Sequence, residues 1–121
     1  MLHLSAACSY YLYRGATDMR KGFDSLGGMV SSQLKSNPLS GSVFIFFNKK
    51  HTQVKLLLFE GDGFALYHKR LERGTYELPA QDDNSISMTI SSQQLQFILQ
   101  GISLKSVRRR KRYQHLPLTG G

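Results

Sequence analysis

The sequence is poor in several things, and each shortage closes a class. It has one cysteine, Cys8, no tryptophan and three prolines in 121 residues. A single thiol forms no intramolecular disulfide and supplies no Cys-rich zinc site, so a secreted disulfide scaffold is excluded. No apolar run approaches the ~20 residues of a membrane-spanning helix. The first eight residues, Met1 to Cys8, lack a charged n-region and are too short for a signal h-region. A reducing, cytoplasmic location without a membrane partner is therefore expected. Acids are scarce: eight Asp and Glu face 16 Lys and Arg, a net charge of +8.

What is present suits one globular domain. Hydrophobic residues make up 40% of the chain and charged residues 20%, which is not the balance of a disordered polyampholyte. The length supports a real core. A basic excess points toward anionic partners, nucleic acid first. Its distribution sharpens this. Residues 1–104 hold ten cations against all eight acids, whereas the last 17 residues hold Lys105, Arg108, Arg109, Arg110, Lys111 and Arg112 and no acid. The expected organisation is a near-neutral domain over 1–104 and a basic C-terminal tail over 105–121.

The pattern predicts an α+β fold, an antiparallel β-meander of about five strands with one long and one short helix packed on it. Tyr10 to Arg14 reads as a short strand that Gly15 ends. Met19, Phe23, Leu26, Val30 and Leu34 recur at helical spacing and predict a helix over about 19–35. Thr17 or Asp18 is its expected cap, and Lys35 suits the dipole of its last turn. Val43 to Phe47 is β-branched and aromatic. Strands over 53–60 and 64–73 follow, joined at Gly61-Asp62-Gly63, where Asp and Gly tolerate the positive φ of a type I′ turn. Residues 85–90 alternate polar and apolar. Ser91 and Gln94 form a capping-box pattern for a helix over 92–100, with Gly101 as its C-cap. Strands 43–47 and 54–59 are apolar at nearly every position, so both faces must be covered. Either each helix covers one face, or both share a face and a second subunit covers the other.

Few constellations carry chemistry. Glu60 and Asp62 flank Gly61 and could hold a divalent metal, but turn chemistry explains them as well. A metal-dependent nuclease built on them ranks far below the other readings. His3, His51, His68 and His115 are scattered without metal-ligand spacing. Cys8 has no local nucleophile signature and reads as a small packing residue. Lys69-Arg70-Leu71-Glu72-Arg73 is a charged strand end that either meets phosphate or is simply solvated. The densest signal is Arg108-Arg109-Arg110-Lys111-Arg112-Tyr113. Five adjacent cations repel one another, phosphates would relieve them, and Tyr113 could stack on a base. A solvated, solubilising tail explains the run equally well.

Three stretches carry a family resemblance: Thr17-Asp18-Met19-Arg20-Lys21-Gly22-Phe23-Asp24-Ser25-Leu26, Lys55 to Phe64, and Tyr67-His68-Lys69-Arg70-Leu71-Glu72-Arg73-Gly74. With Ser40 to Phe44 between them and Gln94 to Ile102 after, the chain resembles the TnpB-type accessory protein encoded by the second open reading frame of family-sixty-six insertion sequences. The resemblance covers roughly residues 10–103. It implies an assistant to DNA transposition, encoded beside a separate transposase that performs the strand chemistry. It supplies no catalytic residue and no cofactor. The chain departs from the family pattern at Leu78, where an aromatic is usual before Pro79, and in the basic stretch after Ile102.

The leading reading is a non-catalytic accessory factor that binds DNA, the transposase, or both. Arg108, Arg109, Arg110, Lys111, Arg112 and Tyr113 are the first candidates for nucleic-acid contact. Arg20, Lys21, Lys69, Arg70 and Arg73 are the second rank. The alternative is a protein-interaction module that docks on the transposase without touching DNA, or self-associates through an apolar sheet face.

Overall fold

A computed structural model describes residues 4–80 and 83–101. The elements run β1 (Tyr10–Ala16), α1 (Phe23–Ser32), β2 (Val43–Phe47), β3 (Gln53–Phe59), β4 (Phe64–Arg70), β5 (Ser87–Ile90) and α2 (Ser92–Gln100). One five-stranded sheet has the order β4-β3-β2-β1-β5. The α+β class is as the pattern predicts, and β2-β3-β4 is an antiparallel meander. One pairing differs from a fully antiparallel sheet. β1 lies parallel to β2, with Tyr10 opposite Val43 and Leu12 opposite Ile45. Parallel neighbours need a crossover, and α1 supplies it.

Both faces of the central strands are covered from within the chain. On one face Tyr10, Leu12, Val43, Ile45, Val54 and Leu56 pack with Leu95 and Ile98 of α2 and with Tyr76. On the other, Phe44, Phe46 and Leu57 pack with Leu26, Val30 and Leu34. All five residues of β2 are buried. β2 and the centre of β3 are apolar toward both faces because a helix lies on each side of these central strands.

The helix ends show where local signals compete. α1 starts at Phe23, four residues later than the periodicity suggests, and its N-cap is Gly22 without a side-chain bond. Asp18 is drawn into a turn of its own, where its Oδ1 accepts the Arg20 backbone N–H at 2.9 Å. At the other end Lys35 is not a last-turn cation but a left-handed residue at φ 53°. The chain unwinds there through Leu34 N–H to Met29 O (3.1 Å) and Ser36 N–H to Val30 O (3.0 Å). α2 follows its sequence signals closely. Ser91 Oγ accepts the Gln94 N–H at 3.0 Å, Gln94 Oε1 accepts the Ser91 N–H at 2.9 Å, and Gly101 closes the helix at φ 79°. The β3–β4 turn is not type I′: its positive φ of 99° falls on Gly61, not on Asp62.

Candidate nucleic-acid interface

Strand order gathers the body's cations. β1 and β2 are parallel and finish together, β3 begins where β2 ends, and β4 ends beside the start of β3. Arg14, the Arg20-Lys21 loop, the Lys49-Lys50 turn, Lys55, Lys69 and Arg70 therefore belong to one end of the sheet. The segment carrying Arg73 is held at the same end by Leu71 N–H to Thr52 O (2.8 Å) and Tyr76 N–H to His51 O (2.7 Å). Nine of the ten cations in residues 1–104 lie here, and the tenth, Lys35, follows α1. The opposite end is the β3–β4 turn, which exposes Glu60 and Asp62. Asp18, Glu72 and Asp83 lie among these cations, so the basic end carries a net excess of positive charge, not a purely positive patch, and the polarity along the strand direction is partial.

The second-rank candidates share this end but not one face. Val54 pairs with Lys69 and Gln53 with Arg70, so Lys69 lies on the α2 side of the sheet and Arg70 on the α1 side. Two of them carry ion pairs. Arg20 Nη2 meets Asp18 Oδ2 at 2.7 Å, and Arg70 Nη2 meets Glu72 Oε2 at 3.5 Å. The Arg20 side chain is 92% exposed and that of Arg70 70%. The Arg70 contact is a solvated pair worth little, so that guanidinium is open to an incoming phosphate, whereas Arg20 grips Asp18 through Nε and Nη2 together at 2.7–3.1 Å and would meet a phosphate with Asp18 attached. Lys21 is half-buried and Arg73 exposed. Arg108, Arg109, Arg110, Lys111, Arg112 and Tyr113 lie outside the described residues.

Lys55 is the unusual member. Its residue is only 6% exposed. Nζ donates to the Lys21 carbonyl at 2.6 Å, and no carboxylate pairs with it among the described residues. Its aliphatic stem lies on the α1 face opposite Phe46 and His68. His68 responds to this setting. Burial, then the Lys55 and Arg70 charges, hold the imidazole pKa below its ordinary value. It is neutral at pH 7, with Nε2 and Gln53 Oε1 2.9 Å apart. The positive potential here comes from the lysines and arginines alone.

The Asp18–Arg20 pair has a pH signature. Hydrogen bonds from the Arg20 side chain and then its backbone N–H hold the Asp18 carboxyl well below the usual carboxylate range. A carboxylate depressed in the folded state contributes stability above its unfolded pKa of about 3.9. That contribution fades as pH falls through the folded value. Asp18→Asn is expected to melt below the parent at pH 7, with the gap closing progressively below pH 4. Parallel thermal scans at pH 7, 4 and 2.5 check this, and a constant gap would show that the carboxylate charge is not what matters.

Sequence reasoning passed over Arg14, Lys49, Lys50 and Lys55 as site residues. The signal that finds them is the meander itself, which puts the 48–52 turn beside the end of β4. Arg14 has a positioning task as well, since its Nη1 donates to the carbonyls of Asp83 and Ser85 at 3.2 and 3.1 Å. Among the described residues there is no group of three or more His, Cys, Asp or Glu placed to hold a metal. Nor is any helix there long and apolar enough to cross a membrane.

Comparison with known proteins adds an identity to this geometry. The family model described as IS66 Orf2 like protein matches residues 8–109. The match reaches past the 10–103 stretch of the motifs and takes in Arg108 and Arg109. A protein of Sinorhizobium fredii NGR234, named uncharacterized protein y4hO, is 39% identical over 92 residues, covering 76% of this chain and 78% of its own. A second from the same strain, uncharacterized protein y4jC, is 28% identical over 93 residues, covering 77% and 78%. No solved structure is a significant match. On a family match spanning most of its length, the chain belongs to the IS66 Orf2-like family.

Proposed function

We propose that the protein is a non-catalytic accessory factor for transposition of a bacterial insertion sequence, acting in the cytoplasm beside a separate transposase and contacting DNA directly. The family supports the accessory role. The observation that carries the DNA contact is the excess of cations at one sheet end, nine set against acids that include Asp18, Glu72 and Asp83, opposite an end bearing Glu60 and Asp62. A polarised charge distribution of this kind orients a protein on a polyanion. The basic segment 105–112 extends the same chemistry, and Arg20, Lys21, Lys69, Arg70 and Arg73 join Lys49 and Lys50 as phosphate contacts.

The chain alone is expected to shift duplex DNA in a gel, with affinity falling linearly on a logarithmic salt axis. Lys49→Gln with Lys50→Gln should lower that slope by about 2, one unit for each lysine that meets a phosphate. Both side chains stand on an exposed turn, so the fold should be untouched. A shift seen only when transposase is added would overturn direct contact in favour of docking on the transposase.

A further inference from the structure

The α1 face of the sheet is not closed all the way across. Beyond β2 it carries Tyr11 and Tyr13 of β1, then Thr89 and Ser87 of β5, which stand opposite those two tyrosines. The Tyr11 ring stacks on Phe44 at 5.7 Å and 23°, and the Tyr13 ring leans on Phe46 at 6.1 Å and 49°. Each tyrosine thus has one side supported by the core. The other side borders a short hydroxyl residue, and Thr89 is exposed. Neither phenol hydroxyl is bonded to a described protein group.

Gly15 completes the arrangement. A Cβ there would lie 2.5 Å from the Tyr13 Oη and 2.6 Å from its Cζ. The glycine lets the Tyr13 ring lie down along the strand. The strand runs on through Gly15 to Ala16 instead of ending at the glycine. The result is a shelf of two supported aromatic rings with a low wall on the β5 side. The loop leaving β1 places the exposed Arg20 side chain and the half-buried Lys21 at its end.

We propose that this shelf binds single-stranded nucleic acid by base stacking, one base on each ring, with the phosphates tracking toward Arg20 and Lys21. The proposal rests on the nucleic-acid reading above and names its substrate class. Spacing decides between duplex and single strand. Residues two apart on a strand are about 6.7 Å apart, roughly twice the ~3.4 Å nucleotide rise of a duplex strand. Rings carried on residues so spaced along the backbone suit splayed bases, and only unpaired bases offer a free π-face.

The test uses the full chain with a fluorescein-labelled oligothymidine of twenty nucleotides and a labelled twenty-base-pair duplex, read by anisotropy at fixed salt. Tyr11→Leu and Tyr13→Leu are each expected to weaken single-strand binding about tenfold, since stacking on an aromatic is worth about 1–3 kcal/mol per base. Duplex binding should change less than about twofold, and Tyr11→Phe with Tyr13→Phe should bind as the parent does. Thr89→Leu covers the Tyr11 ring without removing a core atom and should also weaken single-strand binding. Gly15→Ala should do the same by lifting Tyr13 off its seat. If the parent binds neither probe, the nucleic-acid reading falls and the shelf falls with it. If the parent binds and the Leu variants bind equally well, or lose both probes equally, the shelf alone is overturned. Unfolded Tyr→Leu variants together with an unaffected Thr89→Leu would overturn it too.

Discussion

Deleting residues 105–121 is expected to remove nearly half of the salt dependence of DNA binding. The segment carries six cations and no acid. If all six meet phosphate, the slope of log affinity against log salt falls by about 5, at roughly 0.9 per phosphate. Between 50 and 200 mM salt the parent should therefore lose about a thousandfold more affinity than the truncated chain. At low salt the shortened protein is expected to bind still, through the sheet end. A chain ending at Arg109 retains Lys105, Arg108 and Arg109 and should keep about half of that slope difference. This intermediate matters because the family match stops at that residue. Filter-binding titrations at four salt concentrations measure all three proteins. Identical slopes would mean that the basic run only solubilises the chain.

The elements that could be read from the sequence are those whose cause is local. The Ser91–Gln94 capping box and the Gly101 cap are satisfied inside a few residues, and both have the bonds their spacing implies. The continuous apolar character of Val43 to Phe47 implied cover on both faces, and α1 and α2 provide it. What could not be read depends on pairing across long stretches of chain. Nothing within Tyr10–Ala16 says that its neighbour runs parallel, because that choice is made by the α1 crossover. The helix start slipped because Asp18 bonds Arg20 in a turn before Gly22 instead of capping α1.

The candidate site divides in the same way. A cation run such as 108–112 is visible in the sequence itself. The sheet-end cluster is assembled from Arg20, Lys49, Lys55 and Arg70, which lie far apart along the chain and meet only through strand order. Lys55 looks like a polar interruption of an apolar strand. Its burial makes sense only once the Lys21 carbonyl is seen to face its ammonium. The family resemblance contributed an accessory role but no residue that does it, so the physical case for DNA contact comes from topology.

Phe46→Ala is expected to be the most damaging single substitution on the α1 face. Phe46 is fully buried and belongs to the cluster that seats Leu26 and Val30 of α1. It stands opposite Lys55 on β3 and supports the Tyr13 ring on β1. Truncating a buried phenylalanine costs about 3–5 kcal/mol, because a cavity remains where the ring was. That is a large share of the ~5–15 kcal/mol that holds a domain together. For a chain of this length the loss lowers the melting temperature by roughly 15 °C. Phe46→Leu leaves less void and should cost under half as much. Urea denaturation followed by circular dichroism measures both, and a loss below about 1 kcal/mol for the Ala variant would mean that α1 does not bear on this ring. The position also links stability to the site. Without the ring, water reaches the Lys55 ammonium, so Phe46→Ala should relax the suppressed His68 pKa toward its ordinary value, as tracked by the imidazole proton resonances. Phe46 thus holds together three features that the sequence keeps apart: the crossover helix, the buried cation and the tyrosine shelf.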